Sequence, residues 1–197
     1  MIATPEDVLS LWFGEPGSPL KEISGRWFKK DEAFDREVRD RFEATLEAAS
    51  RGACDAWKQT PRGRLALVIL FDQLSRNMYR GDARSFARDG DALALSIEAL
   101  DGGLDATLSP VERYFLLMPL MHAESVTVQR RCVTEFERLR ADAAPDLEGM
   151  LDSAVDYAKR HAVIVERFGR FPHRNRILGR ASTPEEQEFL EQPGSSF

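Results

Sequence analysis

The stretch that decides the fold of this chain is Thr60–Arg80, T-P-R-G-R-L-A-L-V-I-L-F-D-Q-L-S-R-N-M-Y-R. Thr60 can accept a hydrogen bond from a helix N–H, and Pro61 suits the first helical position because it has no N–H to leave unpaired. Residues 65–71 are apolar on every side, which is typical of a helix covered by neighbours all round. We therefore expect a central helix over about Arg62–Arg80.

A hydroxyl residue followed by proline marks a helix start at several places, and the repetition predicts an all-α protein. The pairs are Thr4-Pro5, Thr60-Pro61, Ser109-Pro110 and Thr183-Pro184. Helical periodicity adds segments at about Pro5–Phe13, Glu32–Arg51, Asp91–Leu100, Val126–Ala141 and Asp146–Arg167. We expect a compact antiparallel array of roughly 6 to 9 helices. It should form a single all-helical domain over 1–197, with a frayed tail at 194–197 and a loop at 14–30.

The composition argues against two classes of function. The chain has 27 Lys and Arg against 33 Asp and Glu, so it lacks the extended basic surface that general nucleic-acid binding needs. No apolar stretch approaches the roughly 20 residues that span a bilayer, so no membrane partner is expected. The two cysteines, Cys54 and Cys132, lie far apart, and no secretory leader precedes the first helix. Both observations favour a cytoplasmic location.

The most basic stretch is Glu166–Arg180, E-R-F-G-R-F-P-H-R-N-R-I-L-G-R, which holds five arginines and His173 in an otherwise acidic chain. Arginine forks bind carboxylates and phosphates through two parallel hydrogen bonds, so the stretch favours an anion site. Two other interpretations stay open. The stretch could be a strap whose Phe168 and Phe171 pack on the helices while the arginines pair with acidic faces, or it could contact nucleic acid locally.

A second polar group lies on the later half of the central helix, on the face that continues the line of Leu65 and Val68. Its members are Asp72, Gln73, Arg76, Asn77 and Arg80. A polar face in that position predicts a cleft lined by other helices rather than open solvent. Asp72 and Arg76 are four residues apart and can pair along the helix, so the pattern fits both an internal salt-bridge network and a ligand site. We expect this face and the 168–176 loop to be neighbours that share one site.

The histidines carry the remaining candidate chemistry. His122 and Glu124 follow a helix that contains Pro119, and His161 interrupts an apolar helical stripe. A histidine in such a stripe is most often a hydrogen-bonded core residue, although it can also serve as a general base. The chain lacks the H-x-x-x-H and H-E-x-x-H spacings of metal sites and the glycine-rich motifs of nucleotide sites. We therefore expect no metal and no cofactor.

Five segments are typical of one known family: V-L-S-L-W-F-G at 8–14, L-F-D-Q-L-S-R-N-M-Y-R-G at 70–81, P-L-M-H-A-E-S at 119–125, R-F-G-R-F-P-H-R-N at 167–175 and L-G-R-A-S-T-P-E-E at 178–186. In order and spacing they resemble the bacterial domain-of-unknown-function family 924, over nearly the whole chain. The resemblance implies an all-α fold related to tetratricopeptide-like (TPR-like) helical repeats, and it implies no established activity. Ala123 stands where the family is expected to have serine.

The family motifs contain the polar groups described above, and together they define the candidate ligand-binding residues. These are Asp72, Gln73, Arg76, Asn77, Arg80, His122, Glu124, Arg170, His173, Arg174 and Asn175. The candidate catalytic residues are His173, His161 and Glu124.

Three hypotheses for the function follow. The first is a binding module for an anionic small molecule or an acidic peptide terminus, held by arginines and oriented by asparagines: Arg76, Arg80, Arg170, Arg174, Asn77 and Asn175. The second is a hydrolase or lyase for an anionic metabolite, with His173 or His161 as general base and Glu124 as its orienting partner. The third is a structural interaction protein without a pocket. The sequence does not set the oligomeric state.

Overall fold

A computed structural model describes residues 2–15 and 17–196 of the chain. The described residues form helices, turns and loops and contain no strand, which confirms the all-α prediction. The helices are α1 (Pro5–Phe13), α2 (Leu20–Ser24), α3 (Glu32–Ser50), α4 (the consecutive pieces Pro61–Val68, Ile69–Leu74 and Ser75–Met78), α5 (Asp89–Asp101), α6 (Pro110–His122), α7 (Val126–Ala141), α8 (Glu148–Phe168) and α9 (Pro184–Leu190). Their packing is compatible with the TPR-like relationship, which itself stays a prediction.

The described residues divide into two compact units. Unit 1 holds the residues up to Arg80 together with Arg84–Pro119, and unit 2 holds Gly81–Ala83 and the residues from Leu120 onward. The expectation of one domain over 1–197 stays a prediction, and Phe197, in the tail expected at 194–197, lies outside the described residues.

The predicted helix starts are present and are capped as expected. Thr4 accepts a hydrogen bond from the N–H of Asp7, and Asp7 in turn accepts one from the N–H of Thr4. Thr183 and Glu186 form the same reciprocal box at the start of α9. The Oγ of Thr60 accepts from the N–H of Gly63 at 3.1 Å, at the start of α4. Each cap satisfies N–H groups that a first helical turn leaves without a partner.

Helix α4 is the core element of unit 1. Residues 65–70 are at most 1% exposed, and the helix packs against α1, α3 and α5. Apolar residues on all its sides require neighbours on all sides, so its central position follows from its composition. The prediction that residues 65–71 form a helix covered by neighbours on every side is confirmed.

The middle piece of α4, Ile69–Leu74, is a π-helix, which the periodicity did not predict. A π turn is wider than an α turn and leaves carbonyl groups that other donors must meet. The hydroxyl of Ser75 donates to the carbonyl of Phe71 at 2.5 Å, and the guanidinium of Arg76 donates to the carbonyl of Asp72 at 2.8 Å. Two polar side chains of the same helix therefore satisfy carbonyls of the widened turn.

Helix α2 corrects the expectation of an unbroken loop at 14–30. The one-turn segment Leu20–Ser24 fits between Pro19 and Gly25, where no glycine or proline interrupts it. Its Ile23 is buried, and Trp27 behind it donates its indole N–H to the carbonyl of Trp12 at 2.8 Å. Burial of these side chains holds the short helix in place.

Unit 2 is built on a hairpin of α7 and α8. Three ion pairs along its length show that the helices are antiparallel: Arg130–Glu166 at 2.9 Å, Lys159–Glu137 at 2.7 Å and Arg140–Asp152 at 2.5 Å. Beyond α8, Phe171 is fully buried against Ile164 and Val165. This apolar contact fixes the chain that follows α8 against the hairpin. None of the helices in the described ranges is both long and apolar enough to cross a membrane.

Candidate functional site

In unit 1, the first predicted polar group is centred on Arg76. Asp72 is fully buried and lies 3.3 Å from the guanidinium of Arg76, while Gln73, which is 6% exposed, donates to Asp72. Arg76 also makes two parallel hydrogen bonds to Asp89, at 2.9 and 3.0 Å. Burial alone would lower the pKa of Arg76, but the charges of Asp72 and Asp89 raise it. The guanidinium is therefore firmly charged and is compensated by carboxylates of its own unit.

The other members of this group converge on Asp35 of helix α3. Arg80 donates to both oxygens of Asp35, at 2.8 and 2.9 Å, and Asn77 donates to it at 2.7 Å. Burial raises the pKa of Asp35, and the hydrogen bonds from Arg80 and Asn77 outweigh that effect and lower it. The arrangement matches the predicted internal salt-bridge network. A ligand-binding role of these residues stays a prediction, as does a site shared with the 168–176 loop.

In unit 2, part of the arginine-rich stretch is a strap. Arg170 makes two hydrogen bonds to Glu186 of α9, at 2.6 and 2.8 Å. Glu186 is 2% exposed, and the hydrogen bond from Arg170 is the largest of the contributions that lower its pKa to about 2. Asn175 donates to Ser182 at 3.0 Å and to Glu186 at 3.3 Å. These bonds tie the segment after α8 to the start of α9.

Glu124 holds a second part of the strap. Its two oxygens accept hydrogen bonds from Arg180, at 2.6 and 2.9 Å, and one of them also accepts from the backbone N–H of Phe171 at 2.8 Å. Burial raises the pKa of Glu124, while Arg180 and Phe171 lower it further than burial raises it. Glu124 is therefore an ionised anchor for the chain around Phe171, and the structure gives it a positioning role there.

The three histidines of the chain come together in unit 2. The rings of His122 and His161 have centroids 6.4 Å apart. The ring of Phe171 lies 5.5 Å from that of His161 and 5.6 Å from that of His173. The guanidinium of Arg174 lies over the Phe171 ring, 4.6 Å from its centroid. We call the group of His122, Glu124, His161, His173 and Arg174 the His–Arg cluster.

Burial keeps two of these histidines neutral. It lowers the pKa of His161 to about 3, with the neighbouring His122 adding to the shift. Burial also lowers the pKa of His173 to about 4, and the charge of Arg174 is the next contribution. His161 is 5% exposed, and its Nδ1 lies 2.8 Å from the carbonyl of Tyr157. The prediction of a hydrogen-bonded core histidine at 161 is confirmed.

The members of the cluster differ in depth. Arg174 and His161 are 6% and 5% exposed, whereas His122, Glu124 and His173 are half-buried. The first two therefore lie at the inner side of the cluster, and the other three lie at its solvent edge. Arg174 is a packed side chain rather than the loop-exposed residue that its place between helices suggests.

Sequence reasoning missed two participants of unit 2. Glu186 lies in the family segment at 178–186 but was not among the candidate site residues, although the charge reversal after Arg180 could have indicated an arginine partner. Gln129 gave no sequence signal, yet it is fully buried and donates to the carbonyls of Met121 and Ala123, at 2.7 and 2.8 Å. These bonds fix the end of α6 on either side of His122.

In the part of the chain that the structure describes, no group of three or more His, Cys, Asp or Glu side chains is arranged to hold a metal ion. Two surface cavities of unit 1 have volumes of about 270 and 340 Å³. The first is bordered by Lys58 and Arg88 and the second by Trp27 and Arg62, and neither is lined by a predicted site residue.

The fold and the cluster define an all-helical protein with a partly buried group of histidine and arginine side chains. The chain belongs to the family of bacterial proteins of unknown function DUF924, whose model matches residues 8–194. A solved structure of a protein of unknown function from Agrobacterium tumefaciens is similar to it, with 37% identity and a TM-score of 0.81 over 95% of this chain and 96% of that one. None of the curated proteins matches the chain. The resemblance found in the sequence is confirmed.

Proposed function

We propose that the protein binds a small anionic molecule at the His–Arg cluster of unit 2. The observation that supports this proposal is that the guanidinium of Arg174 is buried and that its charge lowers the pKa of neighbouring groups. Arg174 lowers the pKa of both His161 and His173, and it also lowers that of Glu124. A positive charge that acts on its neighbours in this way also stabilises an anion placed among them.

The neutral state of the histidines supports the same conclusion. A neutral imidazole can donate or accept a hydrogen bond without adding charge, so His161 and His173 can orient a ligand while Arg174 supplies the attraction. Glu124 accepts two hydrogen bonds from Arg180, and the charge of Arg174 also lowers its pKa, so this carboxylate is shared between two arginines. The half-buried His122 and His173 lie where a small molecule would enter.

Binding accounts for these features better than catalysis does. A general base works best when its pKa lies near the working pH. The pKa values of His161 and His173 are about 3 and about 4, so both are weak bases at neutral pH. In unit 1, Arg76 and Arg80 are each held by a carboxylate of the same unit, so the proposal does not depend on them. A small molecule suits the site better than a peptide because Arg174 is 6% exposed.

The test is thermal unfolding in phosphate and in chloride at equal ionic strength. An anion that binds only the folded protein stabilises it by about 2.7 kcal/mol at roughly 100 times its dissociation constant. For a chain of this size that corresponds to a rise in Tm of roughly 5 to 10 °C. We expect phosphate to raise the Tm above its value in chloride.

Arg174→Met should remove the difference between phosphate and chloride. Methionine keeps an apolar chain over Phe171, so the packing is largely retained while the charge is lost. Arg176→Met is the matched control, because Arg176 is exposed, lies two residues away and carries the same charge. If both variants keep the parent's phosphate shift, or if the parent has none with phosphate or with small carboxylates, the proposal is wrong.

A further inference from the structure

A cavity of about 270 Å³ in unit 1 combines an apolar floor with a charged rim. The floor is formed by Leu67, Phe71 and Leu95, which are at most 5% exposed. The rim carries both signs of charge, from Asp55, Lys58, Arg88, Asp91 and Glu98. Cavities for drug-sized ligands measure roughly 300–1,000 Å³, so this one suits a smaller molecule that has both an apolar part and charged groups.

Helix α5 borders the cavity along one of its faces. Its lining residues occupy positions i, i+3, i+4 and i+7 of one stripe: Asp91, Ala94, Leu95 and Glu98. Because a helix rises about 1.5 Å per residue, Asp91 and Glu98 lie about 10 Å apart along its axis. The cavity therefore has two ends. At the first end, Arg88 pairs with Asp91 at 3.0 Å.

The second end of the cavity also carries both charges. The guanidinium of Arg64 donates to the carboxylate of Glu98 at 2.6 Å and to the carbonyl of Lys58 at 3.2 Å, so Glu98 and Lys58 lie at the same end. The ammonium of Lys58 pairs with Asp55 at 2.7 Å. Over both ends, three basic side chains balance three acidic ones. A balanced rim favours a ligand that carries both charges over an anion or a cation.

The charged groups at the second end are accessible to a ligand. The side chains of Lys58 and Asp55 are 39% and 63% exposed, and that of Glu98 is 62% exposed. Exposed ion pairs contribute little to stability because water screens them. A ligand with both charges can therefore exchange partners with them, its carboxylate meeting Lys58 and its ammonium meeting Glu98.

We infer that this cavity binds an α-amino acid with an apolar side chain. The ammonium and the carboxylate of such a molecule are attached to one carbon atom, so they lie about as close together as the members of an ion pair. Lys58 binds the carboxylate and Glu98 binds the ammonium. The side chain of the ligand lies over Leu67, Phe71 and Leu95. All residues that line the cavity belong to unit 1, so the inference does not depend on the proposed function.

Isothermal titration calorimetry with amino acids and their analogues tests the inference on the parent protein, at constant pH and ionic strength. The probes are L-leucine and L-phenylalanine. Isocaproate and hydrocinnamate lack the ammonium, isopentylamine and phenethylamine lack the carboxylate, and glycine lacks the apolar side chain. We expect at least one of the two amino acids to bind about tenfold tighter or more than each of its analogues, because each analogue leaves one contact unmade. If neither amino acid binds, or if an analogue binds as tightly as its amino acid, the inference is wrong.

Two substitutions at opposite ends of the cavity test where the carboxylate lies. Lys58→Met removes its partner, and Arg88→Met is the matched control because it removes a charge of the same sign at the other end. The two side chains are 39% and 35% exposed, so both variants should fold. We expect about tenfold weaker binding in Lys58→Met and less than about a twofold change in Arg88→Met. Equal losses, or a larger loss in Arg88→Met, would overturn the assignment to Lys58.

Ala94→Trp tests the cavity itself. Ala94 is exposed and lies on the α5 stripe between Asp91 and Glu98, so an indole at this position fills the cavity from its solvent side and leaves the buried floor in place. We expect amino-acid binding to be lost. Binding that persists in a folded Ala94→Trp protein would overturn the site. If that variant does not fold, the comparison of Lys58→Met with Arg88→Met still decides.

Discussion

The two units of this protein use arginine in different ways. In unit 1, Arg76 and Arg80 each make two hydrogen bonds to a carboxylate, that of Asp89 or that of Asp35. In unit 2, Arg174 is nearly as buried as a core residue, and its charge acts on two neutral histidines. Arg76 and Arg80 stabilise the fold through these carboxylates, whereas the charge of Arg174 also lowers the pKa of Glu124 and of two histidines. The proposed binding role of Arg174 rests on this difference in neighbours.

The substitution Asp89→Ala in unit 1 is expected to cause the largest loss of folding stability and so tests this comparison most directly. The variant removes the bidentate partner of Arg76, whose side chain is 22% exposed. Removing one member of a largely buried pair costs about 3 kcal/mol, the low end of the usual range, because Asp72 still faces the guanidinium. Urea unfolding measures the loss.

Asp91→Ala is the matched control for that experiment. Asp91 pairs with Arg88 at 3.0 Å, and both side chains are much more exposed than those of the Arg76 pair. An exposed pair contributes about 0–1 kcal/mol, so we expect little change. Similar losses for Asp89→Ala and Asp91→Ala would show that the Arg76 network is not a structural element.

The second largest effect is a loss of folding stability on acidification. We attribute it to unit 2, which contains the histidines. The pKa of His161 is lowered from 6.5 to about 3 on folding. Between those values the unfolded chain binds a proton that the folded chain does not, so stability falls as the pH drops below 6.5. At pH 5 the loss from His161 is about 2 kcal/mol. His173, which is half-buried, adds a smaller loss of the same sign.

Urea unfolding of the parent and of His161→Phe, at pH 7 and pH 5, measures this contribution. Phenylalanine keeps an aromatic ring against Phe171 and removes the titrating group. We expect the stability of the variant to fall less between the two pH values, whatever its stability at pH 7. Asp35 in unit 1 has a lowered pKa, so its contribution is lost only at lower pH, as the pH falls through about 3.9 and below. Equal losses in parent and variant would contradict the assignment to His161.

The smallest effect is expected from Arg80→Ala. The side chain of Arg80 is 40% exposed, and solvent screens its pair with Asp35. The loss of stability should be at most about 1 kcal/mol. The rise in Tm caused by phosphate relative to chloride is more informative. In Arg80→Ala it should equal that of the parent, whereas in Arg174→Met it should be lost. A smaller rise in Tm with phosphate in Arg80→Ala than in the parent would contradict the assignment of anion binding to unit 2 alone.

Several features of unit 1 could be predicted because their causes are local. The capping hydroxyl of Thr60 and the apolar run at 65–71 predicted a buried helix, and the structure confirms it. The π segment Ile69–Leu74 could not be predicted. Side chains of Ser75 and Arg76 donate to carbonyls of this segment, and helical periodicity does not indicate such contacts.

The candidate site was predicted only in outline. The arginine-rich stretch and the pair His122 and Glu124 were recognised, but their partners were not. Glu124 lies 56 residues from Arg180 in the sequence, and Arg76 lies 13 from Asp89. Which carboxylate meets which guanidinium depends on how the helices pack, and many acidic residues of this chain were equally available.

The sequence by itself determined that this protein is all-α, where most of its helices begin, and that it belongs to its family. Capping bonds and the helical period join residues three or four apart, so they can be recognised in a linear pattern. Only the tertiary structure decided that His161 and His173 both lie against Phe171, with His122 next to His161, and that Gln129 is buried with its amide on the carbonyls around His122. The physical reason is that burial and the partners of a charge come from packing between distant segments, and these set the pKa values of the cluster.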